Sequence, residues 1–210
     1  MPSLAQQTID HILDALAAAT PTPGGGVAAA LAGAAAAALV EMVCGLTIGR
    51  EKFAGVQEEA EQALVRAQAL RSRLLALAEK DAAAFDALTA AYKLPKGTEA
   101  EQSVRTEMIQ KALRAATETP RRTAEAAAEV ATLARTMVEK GNPNAASDVG
   151  VATLLAEAAV QGAALNVRTN LKGLKDAGFA HRAREHVSAL ASDASAARRT
   201  VLEILAARWG

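Results

Sequence analysis

The chain has 210 residues, of which 51% are apolar, and its 23 Lys and Arg are balanced by 23 Asp and Glu. That length and apolar content suffice for one domain with a substantial core. The zero net charge supplies no global field toward nucleic acid or an anionic membrane. Cys44 is the only cysteine, which excludes an intrachain disulfide and a CxxC metal motif and leaves a small buried hydrophobe as its expected role.

Helical periodicity begins at once, over residues 3–19, with Asp10, His11 and Asp14 at amphipathic spacing. This is not the basic-then-apolar pattern of a signal peptide, so a cytoplasmic location is expected. PTPGGG at residues 21–26 then opens a second helix, expected over 26–48, built of Ala, Gly, Leu and Val and interrupted by Glu41. Gly24, Gly25 and Gly26 leave bare backbone N–H groups at the positive end of that helix, where an anionic or electron-rich ligand can approach closely. The apolar run from Val27 to Val40 is about 14 residues, short of the roughly 20 a membrane span needs, and reads as a helix buried in protein. Glu41 is either a buried partner or a helix-face residue at a subunit boundary. Arg50 and Lys52 follow the helix, placed to bind an anion or to cap its C-terminus.

The third helix is expected over 52–92. Leu70, Leu74 and Leu77 precede Asp81 by 11, 7 and 4 residues, and Phe85, Leu88 and Tyr92 follow it by 4, 7 and 11, so Asp81 sits on the apolar stripe. A buried carboxylate has its pKa raised by desolvation, as a general acid or base requires; a structural hydrogen bond or salt bridge is the other reading. KLPKG at 93–97 is a loop. The fourth helix runs over 98–139 with a break or kink at Pro120, where Thr119 reads as a cap and Pro120 as a first helical position.

GNPNAASD at 141–148 opens the fifth helix, expected over 145–173. With Asn142 or Asn144 as cap, Asp148 falls in the first two turns, where the helix dipole favours a carboxylate. Asn166 and Asn170 share its angular face, but Asn166 is about 27 Å farther along the axis, so one small site in one subunit cannot use both ends. A dimer would bring opposite ends of neighbouring helices together. The last helix is expected over 176–207. His181 and His186 are five apart and His11 is isolated, so no metal site is expected, and no Ser-His-Asp or Cys-His set can be assembled. With no strand, no dividing linker and no repeat, the expectation is an all-α, single-domain bundle of long Ala-rich helices over 1–210, held by close small-residue contacts.

Five blocks in order, PTPGGG with AALAGA, LTIGREKF at 46–53, DAAAFDAL at 81–88, LPKGTEAE at 94–101 and GNPNAASDVGVA at 141–152, resemble the cyclodeaminase/cyclohydrolase family. The resemblance covers nearly the whole chain. It implies an all-helical homodimer that acts on a folate, without a metal or cofactor. Val27 stands where many members carry Ser, and MVCGLTIG at 42–49 is similar to the methenyltetrahydrofolate cyclohydrolases. The resemblance therefore leans to cyclohydrolase, with formiminotetrahydrofolate cyclodeaminase as the alternative, and a non-catalytic folate carrier behind both.

On that reading Asp81 is the leading acid/base candidate and Asp148 a cation stabiliser or pterin anchor. Gly24, Gly25, Gly26, Asn142, Asn144, Ser147 and Asn166 are the substrate-binding candidates. Arg50, Lys52 or Arg168 would hold the anionic, possibly polyglutamylated, folate tail.

Overall fold

Local capping chemistry sets where the first, fourth and sixth α-helices begin in the computed structural model, which describes residues 4–210. Thr8 accepts the His11 N–H at 3.3 Å, so the first helix, α1 (Ile9–Ala17), starts six residues later than its periodicity predicts; residues 4–6 form a 3₁₀ turn and Ser3 lies outside the described residues. α2 spans Gly25–Thr47 with Gly24 as its cap, and Gly49, at φ 73, turns the chain away in a conformation that L side chains rarely adopt. The expected third helix breaks at Phe53: Glu51–Val56 is a 3₁₀ stretch, pinned where Gln57 Oε1 accepts the Gly49 N–H, and α3 is Gln57–Tyr92. Thr98 and Glu101 form a capping box at the start of α4, Glu99–Lys140. A 3₁₀ turn, Pro143–Ala145, leads into α5, Ala146–Leu171, and Asp176 caps α6, Ala177–Trp209, by accepting the Phe179 N–H. Among the described residues there is no strand.

α2, α3, α4 and α5 form a four-helix bundle in which each neighbouring pair packs closely, and α6 lies against α4 and α5. α2 and α5 are antiparallel: a Cβ on Gly25 would lie 3.8 Å from Asn166 Nδ2, one on Gly162 would lie 3.2 Å from Ala29 Cβ, and one on Gly33 would lie 3.4 Å from Ala159 Cβ. Ala and Gly at these crossings let the backbones approach closely, which is why a chain poor in aromatic residues still packs a core of Ala, Val and Leu. α2 is 23 residues long, and both it and the 143–171 stretch are apolar and long enough to cross a membrane by length and composition alone. Twelve residues of α2 are nevertheless buried inside the bundle. Cys44 is buried there too, and burial pushes its thiol up to about 11.

Pro120 corrects the sequence reading. It is neither a break nor a first helical position, because α4 runs unbroken through it. A proline there removes the N–H that would bond to the Ala116 carbonyl and ordinarily costs about 3 kcal/mol. Asn170 of α5 replaces the lost donor: its Nδ2 donates to Ala116 O at 2.7 Å. Asn170→Ala is therefore expected to destabilise the protein by about 1–3 kcal/mol in urea titration. In a Pro120→Ala background, where the backbone N–H is restored, the same change should cost clearly less.

Candidate active site

The N-terminus of α2 is wedged between Asp81 of α3 and Asn166 of α5. A Cβ on Gly26 would lie 2.5 Å from Asp81 Cγ and overlap the carboxylate, so this approach exists only because residue 26 is glycine. On the other flank, Asn166 faces Gly25 and donates its Nδ2 to Gly162 O at 2.9 Å. The first-turn N–H groups of a helix have no intrahelical acceptor, so Asp81 and the open end of α2 bring a carboxylate and backbone donors to one place. Burial raises the Asp81 carboxyl above the ordinary aspartate value. Arg168 is exposed two residues beyond Asn166, at the same end of the bundle.

The apolar stripe around Asp81 is continuous before it and broken after it. Leu70, Leu74, Leu77 and Leu88 are buried, but Phe85 is 38% and Tyr92 48% exposed. α2 begins level with Asp81, so the later turns of α3 outrun it and have no α2 to pack against. Val27 is fully buried with Ala30 and Ala78. Its side chain supports the glycine entrance from behind rather than facing an open surface.

The other sequence candidates lie at the far end of α2, about 27 Å away along the bundle. Asn142 caps the 3₁₀ turn, accepts the Asn144 N–H, and donates its Nδ2 to Leu46 O, while its own N–H goes to Thr47 Oγ1. Its amide thus clamps the 141–148 loop to the last turn of α2. Thr47, which the sequence reading passed over, is the buried half of that clamp. Asp148 lies half-buried in the first turn of α5, with Ser147 and Asn144 exposed beside it. Arg50 and Lys52 are exposed just past α2, with Lys52 Nζ 4.7 Å above the Phe53 ring. Glu41 is a partly buried ion-pair partner, its carboxylate 15% exposed and held through two hydrogen bonds by Arg71.

Elsewhere, a surface depression of about 430 Å³ between α4 and α6 is lined by Arg114, Glu118, Arg121, Phe179, Arg182 and His186. Arg121 is paired with Glu118 and Glu125, and Arg114 stacks over Phe179 within reach of Asp176, so much of its charge is matched locally. Among the described residues no group of three His, Cys, Asp or Glu side chains is placed to hold a metal ion.

Residues 8–189, which hold both polar helix entrances and Asp81, match the formiminotransferase-cyclodeaminase family. The chain belongs to that family. Among curated relatives, this family member is 44% identical over 197 residues to the methenyltetrahydrofolate cyclohydrolase of Methylorubrum extorquens, covering 94% of this chain and 95% of the relative. It is 34% identical to the formimidoyltransferase-cyclodeaminase of Rattus norvegicus over 98% of the chain, and there it spans only 38% of the longer protein. The crystal structure of formiminotetrahydrofolate cyclodeaminase from Thermotoga maritima superposes with a TM-score of 0.88 at 29% identity, over 98% of this chain and 99% of that one. The all-helical bundle is thus shared with that structure over 98% of this chain.

Proposed function

We propose that this chain is a methenyltetrahydrofolate cyclohydrolase, which hydrolyses 5,10-methenyltetrahydrofolate to 10-formyltetrahydrofolate. The observation that carries the reading is the 44% identity, nearly end to end, to a protein of that name. The N5–C–N10 carbon of the substrate is an amidinium and already electrophilic, so the reaction needs a positioned water and a base more than a Lewis acid or a cofactor. Asp81 takes a proton from the attacking water as its oxygen bonds to that carbon. The C–N5 bond then breaks, N5 takes a proton, and the formyl group stays on N10. A carboxylate raised by burial suits the task, since it holds its proton more strongly than an exposed aspartate and is the stronger base once ionised.

The N–H groups of Gly25 and Gly26 and the Asn166 carboxamide offer hydrogen bonds beside Asp81. Asp148 offsets the cationic character of the substrate or anchors the pterin edge, and Arg50, Lys52 or Arg168 receive the anionic tail, polyglutamylated or not. The enzyme acts as a cytoplasmic homodimer, without metal.

The purified protein, with no added cofactor, is expected to accelerate loss of the methenyl absorbance and to release little ammonia from formiminotetrahydrofolate. Faster ammonia release than methenyl hydrolysis would favour the cyclodeaminase reading, which the close structural likeness to a cyclodeaminase supports. Binding of folate with inertness in both assays would favour the carrier.

A further inference from the structure

The chain has three phenylalanines, and two of them carry a cation over the ring. Lys52 Nζ lies 4.7 Å above Phe53, and the guanidinium carbon of Arg114 lies 4.5 Å above Phe179. The face of an aromatic ring is its negative side, so a cation is its natural polar partner. Phe85 is the exception. It is 38% exposed, and among the described residues no cation covers it.

Phe85 follows Asp81 by four residues, one turn or about 6 Å along the same face of α3. α2 begins level with Asp81, where Gly26 meets the carboxylate, so the ring stands just past the glycine entrance and α2 does not cover it. Asp81 is uncompensated in the same way. Among the described residues no cation or hydrogen-bond donor is paired with its half-buried carboxylate. Tyr92, the next aromatic on this stripe, is 48% exposed but about 16 Å from Asp81 along the axis, too far to meet the carbon that Asp81 would serve. A carboxylate and a bare ring face one turn apart both attract positive charge, and the protein satisfies neither.

We propose that Phe85 is a specificity-determining residue, whose ring face seats a planar cation beside Asp81: the amidinium N5–C–N10 bridge of a methenyl folate, told apart from neutral folates of similar shape. Naming the folate rests on the function proposed above; the preference for a planar cation at this place follows from the ring and the carboxylate. Addition of water and opening of the bridge remove the positive charge from the carbon, leaving a neutral formamide at N10 and a neutral amine at N5. The ring therefore holds substrate more tightly than product. Because the attraction is strongest before the charge is lost, removing it should raise KM more than it lowers kcat.

Phe85→Leu keeps an apolar side chain and removes the ring face. With 5,10-methenyltetrahydrofolate as substrate, KM should rise about 3–30-fold with a smaller change in kcat, while the inhibition constant of 5-formyltetrahydrofolate, neutral at N5, stays within about twofold. Phe85→Trp, which presents a stronger ring face, should keep or widen the parental ratio of the two constants, and Tyr92→Leu should leave that ratio unchanged. An equal weakening of both folates in Phe85→Leu would reduce the ring to an apolar shelf and overturn the proposal. So would no change in either constant, or a change of assembly state by light scattering with the ratio intact, which would assign the ring to a subunit contact.

If the parent does not hydrolyse the methenyl compound, that compound survives a calorimetric titration, and the two dissociation constants take the place of KM and the inhibition constant. A ratio that collapses in Phe85→Leu would then sustain the cation seat while the hydrolase reading fails. Parental hydrolysis with the ratio untouched in Phe85→Leu would do the reverse, and a parent that binds neither folate would overturn both.

Discussion

Asp81→Asn is expected to lower turnover by about 10²-fold or more while leaving the helical content and the assembly state unchanged. The substitution keeps the shape of the side chain against Gly26 and removes only the group that titrates. Its effect on stability has a definite sign. The folded carboxyl lies above its ordinary 3.8 because burial penalises the ionised form. The native state therefore binds this proton more tightly than the unfolded chain does, and the resulting stability is fully present below the unfolded value and lost as pH rises through the folded one. At any pH above the folded value the ionised Asp81 is thus a cost to the fold, and there Asp81→Asn should unfold at the same or a higher urea midpoint than the parent. The acid limb of the parent's pH–rate profile should report the same group, with turnover falling as Asp81 protonates at a pH above the ordinary aspartate range. Near-normal turnover in the variant, with methenyl hydrolysis established for the parent, would remove Asp81 from the mechanism.

The helices and Asp81 were legible in the sequence because both are local signals. A 3.6-residue period marks a buried face wherever it occurs, and a carboxylate out of phase with its polar neighbours stands out against that period. The capping residues Thr98 and Asp176 sit within a residue of the expected helix ends for the same reason. What stayed hidden depended on residues far apart in the chain. Nothing near Pro120 tells that Asn170, 50 positions later, supplies the donor its ring removes, so the local rule broke a helix that tertiary structure keeps whole. Asparagine in a Gly/Pro-rich loop is equally suited to binding and to clamping, and the clamp of Asn142 on Leu46 and Thr47, 96 and 95 positions earlier, had no local signal. Phe85 and Tyr92 follow the buried period faithfully yet are exposed, since the period records which face a helix offers and not how far its neighbour extends.

Gly26→Ala is expected to be nearly as damaging to turnover as Asp81→Asn, and for the opposite reason: it adds an atom where the carboxylate already is. In the first turn of a helix, replacing Gly by Ala ordinarily gains about 0.5–1 kcal/mol through the loss of backbone freedom in the unfolded chain. Here the new Cβ would sit 2.5 Å from Asp81 Cγ, so either the carboxylate rotates away or the end of α2 shifts. Overpacking of this kind costs about 1–3 kcal/mol, more than the propensity gain, and a displacement of about 1 Å at the reacting group costs about 10²-fold in rate. The signature that separates this clash from a general defect is its dependence on the partner. In Asp81→Ala the carboxylate is gone, and adding Gly26→Ala to that background should be neutral or stabilising, whereas in the parent it destabilises, so the midpoint falls only where the carboxylate is present. Gly25→Ala, whose Cβ would meet Asn166 Nδ2 only at an ordinary 3.8 Å, should leave the urea midpoint unchanged or raise it. If Gly26→Ala alone leaves both turnover and the unfolding midpoint at parental values, Asp81 does not need the glycine, and the geometry that joins α2 to the catalytic carboxylate fails as an explanation of the site.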